Sequence, residues 1–233
     1  MTYFRQLFDT TSSTYTYLLG EFDTYSAVLI DPVREHGNLY LSLLNEQRLT
    51  LRYILETHVH ADHVTGASAL RKATGAQAAV SMHGGVSCAD VQLCGGEMLY
   101  FGNETISVLP TPGHTPACVS YLWRDRLFTG DALLIGGCGR TDFQGGDAGK
   151  LYDSITHQIW PLADETLIYP GHDYHHRHVS SVAQEREINP RLSGKSRDEF
   201  IAIMNQLKLP KPHLIDIAVP ANQQCGNEIA HAA

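Results

Sequence analysis

The sequence predicts an α/β fold. Short β-rich apolar segments recur through the first 130 residues, helical stretches are inserted among them in each half, and histidines and aspartates fall just beyond strand ends. The segments TYTYLLG, AVLIDP, LRYILET, QAAVSM, EMLYFG, ETISVLP, ACVSYLW and RLFTG are rich in β-branched and aromatic residues. Gly, Asn, Asp or Pro borders them, which marks strands. Residues 36–48 and 64–73 carry Leu and Ala at helical spacing. A further helix is expected over 149–160, before the strand TLIYP. Helices follow over 179–187 and 196–206, where Ser196 with Glu199 fits a capping box. The tail from Pro210 holds three prolines and reads as an irregular strap over about 207–233. No linker, repeat or low-complexity run divides the chain, so a single domain over 1–233 is expected. This element order suits two sheets between helices, and at this level other α/β layouts stay open.

Composition narrows the function. The formal net charge is −8, and Lys and Arg are not clustered, which argues against nucleic acid. No run approaches the roughly 20 apolar residues of a spanning helix. The start, MTYFRQLFDTTSSTY, lacks the pattern of a signal peptide, so a cytoplasmic protein is expected. The five cysteines (88, 94, 118, 138 and 225) are odd in number and form no CxxC pair. Reduced thiols are therefore expected in preference to a disulfide framework.

The strongest signal is Thr57-His58-Val59-His60-Ala61-Asp62-His63, directly after the apolar run 51–56. His58 and His60 leave a strand at a spacing of two and project to one side. Clustered imidazoles with a carboxylate suit Zn, Fe or Mn better than Ca or Mg. Three more strand-end motifs follow: Pro112-Gly113-His114-Thr115, Thr129-Gly130-Asp131 and Tyr169-Pro170-Gly171-His172-Asp173-Tyr174. Each places a His or Asp where loops gather on a rigid base. The run 174–178, YHHRH, reads as a solvated stretch at a helix start, and His36, His83, His157, His213 and His231 read as surface residues.

In this order the motifs resemble the metallo-β-lactamase superfamily over roughly residues 14–175. The resemblance implies an αββα sandwich, two mixed sheets flanked by helices. It places His58, His60 and His114 at one metal position and Asp62, His63 and His172 at another, with Asp131 between, so the ligand set alone permits two metals. Three readings compete: a binuclear hydroxyacylglutathione hydrolase (glyoxalase II), a mononuclear persulfide dioxygenase, and a non-enzymatic metal-stabilised module. The stretch GDALLI…GCGRTDFQ is similar to the persulfide dioxygenases almost letter for letter, and EREINPRL and LPKP…IDIAVPAN also resemble them. Glyoxalase II usually continues differently after GCGR and ends in a longer helical domain, whereas about 60 residues follow His172 here. One departure is Gly136, where the dioxygenases often carry Arg.

The resemblance implies one Fe(II) per chain, held by His58, His114 and Asp131, an arrangement that leaves three coordination positions open. His60, Asp62, His63 and His172 would then orient these ligands by hydrogen bonds, or hold a second metal. Glutathione persulfide and O2 would be the substrates, glutathione and sulfite the products, in sulfur metabolism and hydrogen sulfide detoxification. Substrate contacts are expected from Arg140, whose guanidinium suits a glutathione carboxylate, and from Tyr174, Thr115 and Cys138. Asp173 is expected to orient a loop near the site. A homodimer, and an upstream sulfurtransferase or sulfide:quinone oxidoreductase, complete the expectation.

Overall fold

A computed structural model describes residues 1–227, which fall into two compact units. The first comprises Met1–Leu93, Tyr100–Thr105 and the chain from Lys211 onward; the second comprises Cys94–Leu99 and Ile106–Pro210. His231 lies outside the described residues, as does the end of the expected strap.

The first unit is built on a six-stranded sheet whose spatial order follows the sequence: β1 (Thr2–Asp9), β2 (Thr14–Glu21), β3 (Ser26–Ile30), β4 (Thr50–Leu55), β5 (Gln77–Ser81) and β6 (Val91–Leu93). β1, β2 and β3 pair antiparallel, and β3 through β6 pair parallel. Parallel neighbours need long crossovers, which helices α1 (Gly37–Glu46) and α2 (Ala67–Thr74) supply. Their apolar faces bury Tyr40, Leu43, Leu44 and Leu70 in one cluster with Leu18, Leu29, Leu51 and Ile54. Each fully buried Leu or Ile contributes about 1.5–3 kcal/mol. β1 escaped the sequence expectation because this edge strand mixes Arg5 and Gln6 with aromatic residues and is only partly buried. Its register, from Thr2 opposite Glu21 to Asp9 opposite Thr14, comes from pairing with β2.

The second sheet runs in the order β12-β11-β10-β9-β8-β7. Its strands are β7 (Met98–Phe101), β8 (Glu104–Pro110), β9 (Val119–Trp123), β10 (Arg126–Gly130), β11 (Leu167–Pro170) and β12 (Ser180–Ser181). β10 and β11 pair parallel, while β8–β9, β9–β10 and β11–β12 pair antiparallel, so this sheet is mixed too. Helix α3 (Ala148–Ser154) continues into a wide turn over Ile155–Ile159 and forms the crossover from β10 to β11. Helices α4 (Val182–Ile188) and α5 (Arg197–Asn205) follow. Ser196 caps α5 by accepting from the Glu199 N–H, and Glu199 accepts from the Ser196 N–H in return, completing the expected box. Leu151, Ile155, Ile159, Val182, Phe200 and Met204 bury one core with Leu127 and Ile168 of the strands.

Two expectations are corrected. The Pro-rich tail is not wholly irregular: Ile215–Asn222 is a helix, α6, with Pro220 inside it. The proline removes one helical hydrogen bond, and Ala218 and Ala221 of this helix are buried beside Val64. The cysteines are not all reduced either. Cys88 and Cys225 form a disulfide across 137 residues, and Cys94, Cys118 and Cys138 stand outside it as thiols. A pairing over such a distance has no local sequence signal, since it depends on where α6 docks in the first unit.

Candidate metal centre

Each expected ligand emerges at a strand end. In the first unit, β4 delivers Thr57 through His63 into a turn where His58, His60 and His63 are nearly inaccessible. The His60 ring lies 4.1 Å from that of His58 and 4.4 Å from that of His63, centroid to centroid. His60, Asp62 and His63 form one cluster of donors, and Asp31, Glu56 and His60 another, each with its ligand atoms within 4.8 Å of one another.

Hydrogen bonds fix which ring nitrogen of His58 faces outward. The Thr57 hydroxyl donates to Asp31 Oδ2 at 2.7 Å, which uses its only hydrogen. The 3.0 Å contact between Thr57 Oγ1 and His58 Nδ1 therefore has the imidazole as donor, leaving the lone pair on Nε2. Asp31 also accepts from the Thr57 N–H at 2.7 Å, so both of its oxygens hold the start of the ligand turn. Asp31 and Glu56 are site residues that the sequence reading missed. The signal was present: a carboxylate at the end of the run AVLI, and another just before Thr57.

His60 faces inward. Its Nε2 lies 3.1 Å from Asp31 Oδ1 and 3.5 Å from Glu56 Oε2. Burial opposes a charge on this ring, but the Asp31, Glu56 and Asp62 carboxylates outweigh it and hold the His60 pKa well above the ordinary histidine range. Burial pushes the Glu56 carboxyl up, with His60 opposing, and the Thr65 hydroxyl donates to Glu56 Oε1. His63 Nδ1 donates to Asp62 Oδ2 at 2.9 Å, and Thr14 donates to the same oxygen at 2.9 Å. His63 Nε2 is buried with no hydrogen-bond partner among the described residues. A buried imidazole nitrogen in that condition costs free energy unless an ion or water takes it, so the residues fit a metal. The turn is held from behind by Asn222 of α6, whose amide donates to the His60 and His63 carbonyls at 2.9 Å each and accepts from the Thr65 N–H.

In the second unit, His114 follows β8, Asp131 follows β10 and His172 follows β11. His114 Nδ1 donates to the Arg140 carbonyl at 2.6 Å, leaving the lone pair on Nε2. That nitrogen lies 3.6 Å from Asp131 Oδ2. The gap exceeds a hydrogen bond and suits two ligands that share one ion at bonds of roughly 2.0–2.2 Å. His172 Nδ1 donates to the other oxygen, Asp131 Oδ1, at 2.6 Å and so sets the carboxylate plane. Glycine is obligatory at Gly139, because a Cβ there would stand 2.3 Å from the Asp131 carbonyl oxygen and 3.0 Å from the His114 ring. The same holds for Gly113 before His114, where φ is +147° and a Cβ would meet the Leu151 backbone at 2.3 Å.

The expected substrate residues lie in different surroundings. The Arg140 guanidinium is bidentate to Asp142 at 2.6 and 2.7 Å and donates to the Leu209 and Pro210 carbonyls. Tyr174 is exposed and lies parallel to the His172 ring, 6.2 Å away. Thr115 is buried, its hydroxyl accepting from the Ala117 N–H. Cys138 is buried, its thiol against Met204 in the core. Asp173 accepts from the His175 and Arg177 backbone N–H groups and pairs with the Arg177 guanidinium at 2.8 Å. Arg177 also fills the space at Gly136, where a Cβ would lie 2.9 Å from its Nη1.

The family model described as the metallo-β-lactamase superfamily matches residues 9–102 and 95–172. The chain belongs to that superfamily, whose fold of two mixed sheets flanked by helices it shares. It is 49% identical over 225 residues to the mitochondrial persulfide dioxygenase ETHE1 of Mus musculus, across 95% of this chain and 88% of that protein. The crystal structure of ETHE1 from Myxococcus xanthus matches with a TM-score of 0.95 at 56% identity, covering 97% of this chain and all of that one. A hydroxyacylglutathione hydrolase of Anaeromyxobacter dehalogenans is 40% identical over 163 residues, covering only 69% of this chain and 61% of that protein. Within the superfamily the chain is an enzyme of the persulfide dioxygenase family. Among the described residues, no helix is long and apolar enough to cross a membrane.

Proposed function

We propose that this enzyme oxidises glutathione persulfide with O2 at a single Fe(II) held by His58, His114 and Asp131. The observation that carries the reading is identity along nearly the whole chain with ETHE1 proteins, at 49% with the persulfide dioxygenase of Mus musculus and at 56% with ETHE1 of Myxococcus xanthus. Two further features support it. His58 and His114 each carry a hydrogen on Nδ1, which leaves Nε2 as the donor nitrogen. His60 turns its Nε2 toward Asp31 and Glu56, which suits an orienting role better than ligation.

Iron bound by two imidazoles and one carboxylate would supply open positions at which the persulfide sulfur and dioxygen meet. Glutathione persulfide, O2 and water then balance to glutathione, sulfite and two protons. The chain's part is orientation. Asp31 acts on His58 through Thr57, the Arg140 carbonyl acts on His114, and His172 acts on Asp131; such partners typically raise metal affinity or activity about 10–100-fold. For a glutathione carboxylate, Arg140 would have to exchange its pairing with Asp142, and Tyr174 stands exposed beside His172. A sulfurtransferase or a sulfide:quinone oxidoreductase would supply the persulfide upstream.

The seven potential ligands also permit the binuclear hydrolase. Metal content and oxygen uptake separate the two. The proposal expects about one iron per chain and O2 consumption with glutathione persulfide. Two metals per chain with rapid hydrolysis of S-lactoylglutathione, and no oxygen uptake, would overturn it.

A further inference from the structure

The loop at residues 136–140 carries three glycines in five positions. Glycine gives the backbone its greatest freedom, yet this loop must hold the Arg140 carbonyl steady, because that oxygen orients His114 at 2.6 Å. Gly139 cannot be replaced by a stiffer residue, since Asp131 and His114 occupy the space of its Cβ. Rigidity has to come from elsewhere.

It comes from one short stretch at the end of α4. Glu185 Oε2 accepts from the Gly136 N–H at 2.9 Å, Asn189 Nδ2 donates to the Gly137 carbonyl at 3.0 Å, and Arg191 Nη1 donates to the Cys138 carbonyl at 2.7 Å. The next two residues face the site: the Gly139 N–H donates to the Asp131 carbonyl at 2.8 Å, and the Arg140 carbonyl receives His114. All five loop residues are thus pinned, three by the brace and two by expected ligand residues. The brace is itself locked. Asn189 is fully buried and also donates to Glu185 Oε2 at 2.8 Å, Ser180 donates to Glu185 Oε1 at 2.6 Å, and the Arg191 N–H donates to Asn189 Oδ1 at 3.1 Å. A buried carboxyl and amide are costly groups to keep in a core. Their place behind a glycine loop gives them a task that an apolar pair would not perform.

We propose that Asn189 and Arg191 are positioning residues for His114, acting through the backbone of the 136–140 loop. Removing Arg191 releases the Cys138 carbonyl, two residues before the oxygen that fixes His114. Sites of this kind work within about 0.5 Å of the productive geometry. This inference rests on His114 being an iron ligand, and the test separates the two.

Fe(II) affinity of the full-length, metal-free protein is measured by competition with a chelator, alongside the 15N shifts of the His114 ring. Arg191→Ala is expected to weaken Fe(II) binding about 10–100-fold, the usual cost of losing such support, and to mix the two His114 tautomers. Arg191→Lys, which keeps a donor, restores most of both. If Arg191→Ala does not fold, Arg191→Met keeps the bulk, removes the donor and is judged by the same two readings. Wild-type affinity with His114 still protonated at Nδ1 in the donor-less variant overturns the inference. His114→Ala is the control: if it binds Fe(II) like wild type, the ligand assignment fails and the inference with it. If it loses iron while the Arg191 variants do not, the inference alone fails.

Discussion

The Thr57 hydroxyl reaches Asp31 Oδ2 at 2.7 Å, and this one contact decides which nitrogen of His58 is available to a metal. Thr57→Val keeps the shape and removes the hydroxyl. It takes the hydroxyl away from both His58 Nδ1 and the buried Asp31 Oδ2, at a cost of about 1–3 kcal/mol in stability. Iron affinity is expected to fall about 10–100-fold, which a chelator competition and a denaturant melt would read separately. Unchanged affinity would show that Thr57 does not orient His58.

Single and double occupancy predict different alanine scans. With one iron, His58→Ala, His114→Ala and Asp131→Ala each abolish binding, whereas His63→Ala keeps one iron per chain at reduced affinity. With two metals, His63→Ala drops the content from two to one. Elemental analysis of the purified variants distinguishes these outcomes.

Cys138 should be chemically silent. Burial pushes its thiol up to about 11, with Arg191 opposing, so the reactive thiolate is scarce at pH 8. Cys94 is exposed. Iodoacetamide at pH 8 is therefore expected to label Cys94 in the native protein and to reach Cys138 only after unfolding. Mass spectrometry of the labelled peptides checks this, and rapid native labelling at 138 would contradict the packing role.

The Cys88–Cys225 bridge closes a loop with a separation of 137 residues. Constraining so long a loop in the unfolded chain is worth up to about 5 kcal/mol by chain entropy. Cys225→Ser should lower the denaturant midpoint by a corresponding amount, and a reducing agent should do the same to the wild type. A reductant effect that persists in the variant would mean the bridge is not its cause.

Phe200 is fully buried between α5 and α3, beside Tyr152. Phe200→Ala should cost about 3–5 kcal/mol, read as a drop in thermal midpoint.

What could be read from the sequence follows the range of the interactions. The motif 57–63, His114, Asp131 and His172 announce themselves because each stands directly behind an apolar strand, and the Ser196–Glu199 cap spans only three residues. Asp31 is harder to see: a single carboxylate after AVLI has no neighbour to mark it, and its purpose appears only when β3 and β4 pair. Asn222 and Cys225 were out of reach. Their partners lie more than a hundred residues away, and the three prolines of the tail hid a helix that burial of two alanines stabilises. Burial of Cys138 was legible as the ordinary place of a small thiol, but its neighbour Met204 on α5, 66 residues on, was not.

Asn222 is translated 162 residues after His60, whose carbonyl it clamps. At roughly 5–20 residues per second, the ribosome needs about 8–30 s to travel that distance. A nascent chain therefore presents the histidine turn long before it has the amide that fastens it. Stable metal binding is expected only after synthesis has passed Asn222, so truncated products should emerge folded in part yet without a metal.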